Sequence, residues 1–168
     1  YKFFGKGSIA GIPVPVIILI IVFLLAHYIL TQTSYGRSVY AVGGNREAAR
    51  LSGIRVKTSE FLVYTLNGLM CGMAGLILTA RLGSAQSTSG TGIEMDAIAA
   101  VILGGTSLSG GVGFVLPTVV GAMIMGIIDN ILTLMNVNPH ATNIVKGAVI
   151  LIAVLVDKKV KDLSAKAE

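Results

Sequence analysis

Gly43-Gly44-Asn45-Arg46-Glu47-Ala48-Ala49-Arg50-Leu51-Ser52-Gly53 is a polar, basic stretch set between two long apolar segments. A short amphipathic helix tethered between two membrane spans is placed to receive a push from a soluble partner and pass it into the bilayer. Asn45 suits an N-cap, Glu47 the positive end of a helix, and Gly53 the C′ stop. Between them Ala48, Ala49 and Leu51 make a small apolar surface, with Arg46 and Arg50 one turn apart. A helix of about two turns is too short to be stable alone, so it needs a protein surface to hold it. On these residues alone it reads equally as a docking helix or as an interfacial helix that ties two spans together.

Composition fits the membrane setting. Of the 168 residues, 54% are hydrophobic and 12% charged, against about 25% charged in soluble domains. Between Leu62 and Val145 the only basic residue is Arg81, and the only acids are Glu94, Asp96 and Asp129. The net charge of +5 comes largely from two clusters just beyond apolar runs, Arg37 to Lys57 and Lys158 to Lys166. Cytoplasmic loops and tails facing anionic lipid carry charge in this way, which argues against a nucleic-acid partner. Cys71 is a lone cysteine inside an apolar run, so neither a disulfide framework nor a metal cluster is expected. The chain begins at Tyr1 without a start methionine or a signal-peptide pattern, and reads as the C-terminal part of a longer protein.

The apolar runs predict an all-α, polytopic transmembrane helical bundle of about five membrane segments. The first span covers about Pro13 to Leu30, with Pro13 and Pro15 at its start, where missing backbone donors matter least. The second covers about Phe61 to Ala80, with Gly68 and Gly72 spaced to let another helix approach. Met95 to Leu103 is too short to span alone and leads into the glycine-rich Gly104 to Gly113, together a short broken element. Non-helical backbone at membrane depth is tolerated only where protein or a wet cavity covers it. Two further helices are expected at about Val115 to Met135 and Ala141 to Val156, with the turn 136–140 between them. Residues 1–168 thus read as one transmembrane domain, with 31–60 a cytoplasmic loop and 157–168 a cytoplasmic tail. Both basic segments lie inside only if an even number of crossings separates them, so the 95–113 segment must cross. Residues 1–11 then lie outside the cell.

The Glu-Ala-Ala-x-x-x-Gly spelling of Glu47 to Gly53 resembles the loop by which permease subunits of bacterial ATP-binding-cassette importers dock on their ATPases. The likeness extends from about Tyr35 to Lys158 and is similar to permeases of the ribose, xylose, galactose and autoinducer-2 importer group. The blocks that carry it are Gly36-Arg37 with Tyr40 to Asn45, Ala48 to Ile54, Asp96 to Leu108, and Val145-Lys146-Gly147 with the apolar run to Asp157. One departure is Val63-Tyr64-Thr65-Leu66, where the wider importer pattern has a proline. The resemblance implies a sugar permease subunit, ribose-like in substrate, in the bacterial cytoplasmic (inner) membrane. It makes Asn45, Arg46, Glu47, Ala48, Ala49, Arg50, Leu51 and Gly53 the ATPase-docking residues of a helix at about 45–53. The implied partners are a cytoplasmic ATPase, an extracytoplasmic sugar-binding protein and a second permease copy. ATP and Mg would be used by the ATPase, and no cofactor would be bound by this chain.

Other residues suggest chemistry of their own. Leu108-Ser109-Gly110-Gly111 copies the opening of an ATPase signature, but the phosphate-cradling Gly-x-x-x-x-Gly-Lys-Ser/Thr loop is absent from the sequence. Asp129 and Lys146 are charges inside apolar segments, where charge is costly and usually faces the bundle interior. Counted from the 136–140 turn they lie at matching depth, so they are expected to pair, or to share a polar network with Asn130 and Thr133; snorkelling to the outer surface is the alternative. Asn67, Gln86, Ser87, Thr88, Thr91 and Asp96 have the amides, hydroxyls and carboxylates that meet sugar hydroxyls, and are the candidate substrate pathway; residues 83–91 serve equally as a landing surface for a binding protein. An intramembrane hydrolase would need a nucleophile beside a base, yet His27 and His140 lie away from Ser107 and Ser109 on this topology. A passive channel is the remaining rival, separable from an importer by dependence on an ATPase.

Overall fold

Apolar runs become helices because in lipid every backbone polar group must be satisfied within its own segment. The structure, a computed structural model, describes residues 5, 7–9, 11–85 and 90–165, and the side chains of all of these except 139–140 and 156–165. The chain forms two compact units, Tyr1–Thr91 and Gly92–Glu168.

In the first unit a small antiparallel hairpin, β1 (Ser8–Ile9) and β2 (Ile12–Pro13), leads directly into α1 (Val14–Gln32). This helix is apolar on every face and leaves most of its side chains uncovered, the pattern of a helix whose surface belongs to lipid. The chain reverses at Thr33, whose extended backbone ends α1 and whose hydroxyl accepts the Gly36 amide hydrogen at 3.2 Å. A Cβ on Gly36 would collide with the carbonyls of Ile29 and Leu30, so this corner closes only around glycine.

From that corner runs α2 (Ser34–Gly44), followed by α3 (Arg46–Leu51) and α4 (Val56–Leu82). The sequence reading names one helix in 31–60, whereas the structure has α2 as well and starts α4 before Phe61. Glycine costs roughly 1 kcal/mol against alanine within a helix, and α2 contains three glycines. Its packing against α1 and α4 supplies what local propensity does not. At 27 residues, α4 is about 40 Å long, enough to cross a hydrocarbon core of about 30 Å and project beyond it. Apart from α4's own neighbouring backbone, no heavy atom lies within 4 Å of a Cβ built on Gly68, Gly72 or Gly75, so the small-residue face of α4 is open among the described residues.

In the second unit, α5 (Ile93–Leu103), α6 (Val115–Leu134) and α7 (Pro139–Ala165) pack with α5 in the middle. Backbones of α5 and α6 touch: a Cβ on Gly104 would strike Thr118, and one on Gly121 would strike the Ala100 carbonyl. Those two contacts make α5 and α6 antiparallel. Ala99, Ala100 and Met125 form the buried core, with Leu103, Ile128, Val149 and Ile150 packed on it. The chain between α5 and α6 is a compact turn in which the Ser107 amide donates to Val112 O at 3.0 Å and Gly110 donates to Ser107 O at 3.1 Å.

Among the described residues, α1, α4 and α6 are long and apolar enough to cross a membrane, and Ala141–Leu155 within α7 is a shorter apolar run. With 11 residues, α5 spans only about 16 Å, the short element expected after Met95. The fold is that of an all-α polytopic membrane protein.

Candidate functional site

Two constellations stand out, one in each unit. The first is α3. Asn45 caps it, its side-chain oxygen accepting from the amides of Glu47 at 3.1 Å and Ala48 at 3.0 Å. At the other end Gly53 takes φ +82, where a Cβ would be strained. Its amide donates to Arg50 O at 3.0 Å, while the Ile54 amide reaches back to Ala49 O at 3.1 Å. This is the paired closure of a Schellman motif. Six residues would not hold a helix in isolation; here the two caps and the burial of Ala49 do so. Arg46 adds a forked contact to Glu60 on α4, Nε to Oε1 at 2.9 Å and Nη2 to Oε2 at 3.0 Å.

Two caps and the Arg46–Glu60 contact thus hold α3 in place. Leu51 is 81% exposed, and Glu47, Ala48 and Arg50 are exposed beside it. Arg46, Glu47, Arg50, Arg55, Val56 and Lys57 line a groove of about 560 Å³ between α3 and the start of α4. Four of these six side chains are cationic and one is acidic, so the groove is predominantly basic.

The second constellation lies in the other unit. Lys146 on α7 places its Nζ 2.7 Å from Asp96 Oδ1 and 2.9 Å from Asp96 Oδ2 on α5, and 2.9 Å from Asp129 Oδ1 on α6. The three side chains are 14%, 23% and 37% exposed, with Lys146 the most covered. One ammonium thus serves two carboxylates, leaving the cluster with a net negative charge. Taking such groups out of water costs several kcal/mol per ion, offset only by close pairing of this kind. Thr133 takes no part in the carboxylate contacts, since its hydroxyl donates to the Asp129 backbone carbonyl at 2.7 Å.

Of the residues expected to dock, Asn45, Arg46, Glu47, Ala48, Arg50, Leu51 and Gly53 are exposed on α3 and at its ends, whereas Ala49 is buried beneath it. Asn67 is exposed on α4 and Thr91 is exposed at the end of the first unit, while Asp96 sits on Lys146. Gln86, Ser87 and Thr88 lie outside the described residues. Sequence reasoning missed Glu60 as the partner of Arg46 and Asp96 as the second partner of Lys146. Both are acids in apolar helices, which was the one available signal.

Apolar helices long enough for a bilayer, a short capped helix between two of them and a charge cluster joining α5, α6 and α7 mark an all-α polytopic membrane protein. The chain belongs to the family described as branched-chain amino acid transport system / permease component, whose model matches residues 2–154. It is 54% identical over 159 residues to the ribose import permease protein of Escherichia coli (strain K12), covering 95% of this chain and 50% of that one. Against the ribose import permease protein of Bacillus subtilis (strain 168) it is 49% identical over 159 residues, covering 95% and 49%. Against the xylose transport system permease protein of Escherichia coli (strain K12) it is 48% identical over 151 residues, covering 90% and 38%. The chain spans about half the length of the ribose permeases it matches. No solved structure matches it.

Proposed function

We propose that this chain is part of the transmembrane permease subunit of an ATP-driven importer that carries a ribose-like monosaccharide across the bacterial cytoplasmic membrane. A separate cytoplasmic ATPase would bind ATP and Mg, close on them, and move α3. An extracytoplasmic sugar-binding protein would deliver the sugar, and a second permease copy would complete the pathway. The names of the ribose and xylose relatives support the substrate class. The observation that carries the coupling step is the held, outward-facing α3 with Leu51 uncovered. A floppy segment would absorb a push, whereas a helix capped at both ends and anchored to α4 passes it on.

The test uses the full-length permease expressed with its ATPase and binding protein. Leu51→Asp and Glu47→Lys should abolish ATPase co-purification and sugar uptake while the amount of permease in the membrane stays at the parent level. Uptake that persists without the ATPase would make the protein a channel. Labelling of a cysteine at Arg50 from the extracytoplasmic side would place α3 where no ATPase reaches.

A further inference from the structure

We infer that Lys146 is a latch that holds α7 to α6 across the short helix α5, and that Asp96 and Asp129 play different parts in it. The geometry divides the work. Both α6 and α7 pack on α5, and they share few direct contacts with each other. The Lys146–Asp129 contact at 2.9 Å is the ion pair that joins α6 to α7 among the described residues. Backbone contacts at Gly104 and Gly121 fix the C-terminal half of α5 to α6. Asp96, about 12 Å of helix rise before Gly104, fixes the other half to α7 through Lys146.

The pairs are unequally covered. Asp96 is 23% exposed and accepts a hydrogen bond from Lys146 at 2.9 Å through Oδ2, with Oδ1 at 2.7 Å, whereas Asp129 is 37% exposed and meets Lys146 through Oδ1 at 2.9 Å. Losing Asp129 leaves a neutral pair between α5 and α7. Losing Lys146 leaves two carboxylates facing each other without a cation. The Asp129 arm is therefore the one that can open while α5 and α7 stay joined. This gives α6 a defined way to separate from α7 when the membrane helices rearrange. The role as a positioning residue in transport rests on the importer reading above; the latch itself does not.

The experiment uses the full-length permease in its membrane, with Cys71 replaced by alanine and cysteines placed at Ile128 and Val149, which pack on the shared core. A short bis-maleimide reports how often α6 and α7 are together. Asp129→Asn should leave the membrane amount unchanged, slow cross-linking by on the order of tenfold, the scale of one close charge contact, and lower sugar uptake. Lys146→Met should reduce the membrane amount. The triple variant Lys146→Met, Asp96→Asn, Asp129→Asn should restore that amount but neither the cross-linking rate nor uptake. Unchanged cross-linking in Asp129→Asn would overturn the latch, and so would a triple variant that regains parental cross-linking. A parent protein that takes up no sugar would sink the importer reading, leaving the latch to be judged by cross-linking alone.

Discussion

Arg46 and Glu60, fourteen residues apart, meet through two contacts of 2.9 and 3.0 Å that join α3 to the second turn of α4. The pair is substantially exposed, so its stabilisation is modest, about 0.2–1 kcal/mol even with good geometry. Its consequence is orientation. It ties a two-turn helix to a rod long enough to enter the bilayer. Glu60→Gln should leave thermal unfolding in detergent nearly unchanged while speeding amide exchange in 46–51. The reversed pair, Arg46→Glu with Glu60→Arg, should restore slow exchange.

The caps of α3 should matter more than that ion pair. Asn45→Ala removes the acceptor for two amides and should destabilise the helix by about 1 kcal/mol, whereas Asn45→Asp keeps the acceptor and should be near neutral. Gly53→Ala forces a side chain into positive φ at about 1 kcal/mol. Limited proteolysis of the 45–53 segment in intact membranes should show faster cleavage for both alanine variants and parental cleavage for Asn45→Asp.

Two glycines of α6 should respond in opposite directions. Gly121→Val places a branched side chain against the Ala100 carbonyl, and overpacking of this kind costs 1–3 kcal/mol or more. Gly126 has nothing within 4 Å of a built Cβ, so Gly126→Ala should be neutral or stabilising by up to about 1 kcal/mol through helix propensity. Membrane abundance and melting temperature in detergent would separate them.

Tyr35, in the α1–α2 corner, carries a buried hydroxyl without a hydrogen-bond partner among the described residues. Burial disfavours the phenolate and raises its pKa above the usual 10.0. The unfolded chain therefore loses this proton first. Stability is unaffected below about pH 10 and declines as pH rises from there toward the folded pKa. Tyr35→Phe should remove that alkaline loss without harm at neutral pH, because the hydroxyl satisfies nothing. Melting temperature followed from pH 8 to 11 would check both statements.

The spans and the caps were legible in the sequence because each depends on a few neighbouring residues. Apolar runs placed α1, α4 and α6 within a few positions, and Asn45 and Gly53 announced the ends of α3. The second helix, α2, was not legible, because its glycines weaken the local signal and its stability comes from α1 and α4. Matching depth on either side of a turn brought Asp129 and Lys146 together on paper. Nothing local could bring in Asp96, fifty residues from Lys146, since periodicity says which residues share a face but not which face meets it.

By itself the sequence determined a membrane-spanning, all-helical chain with a short polar helix between two spans. Hydrophobicity and capping act over a few residues, and both can be read in order along the chain. Only the tertiary structure decided that Glu60 holds Arg46, that α5 lies against α6 at backbone distance, and that one lysine serves two carboxylates. Those depend on which helices touch, a choice made by packing and by the cost of leaving a buried charge alone.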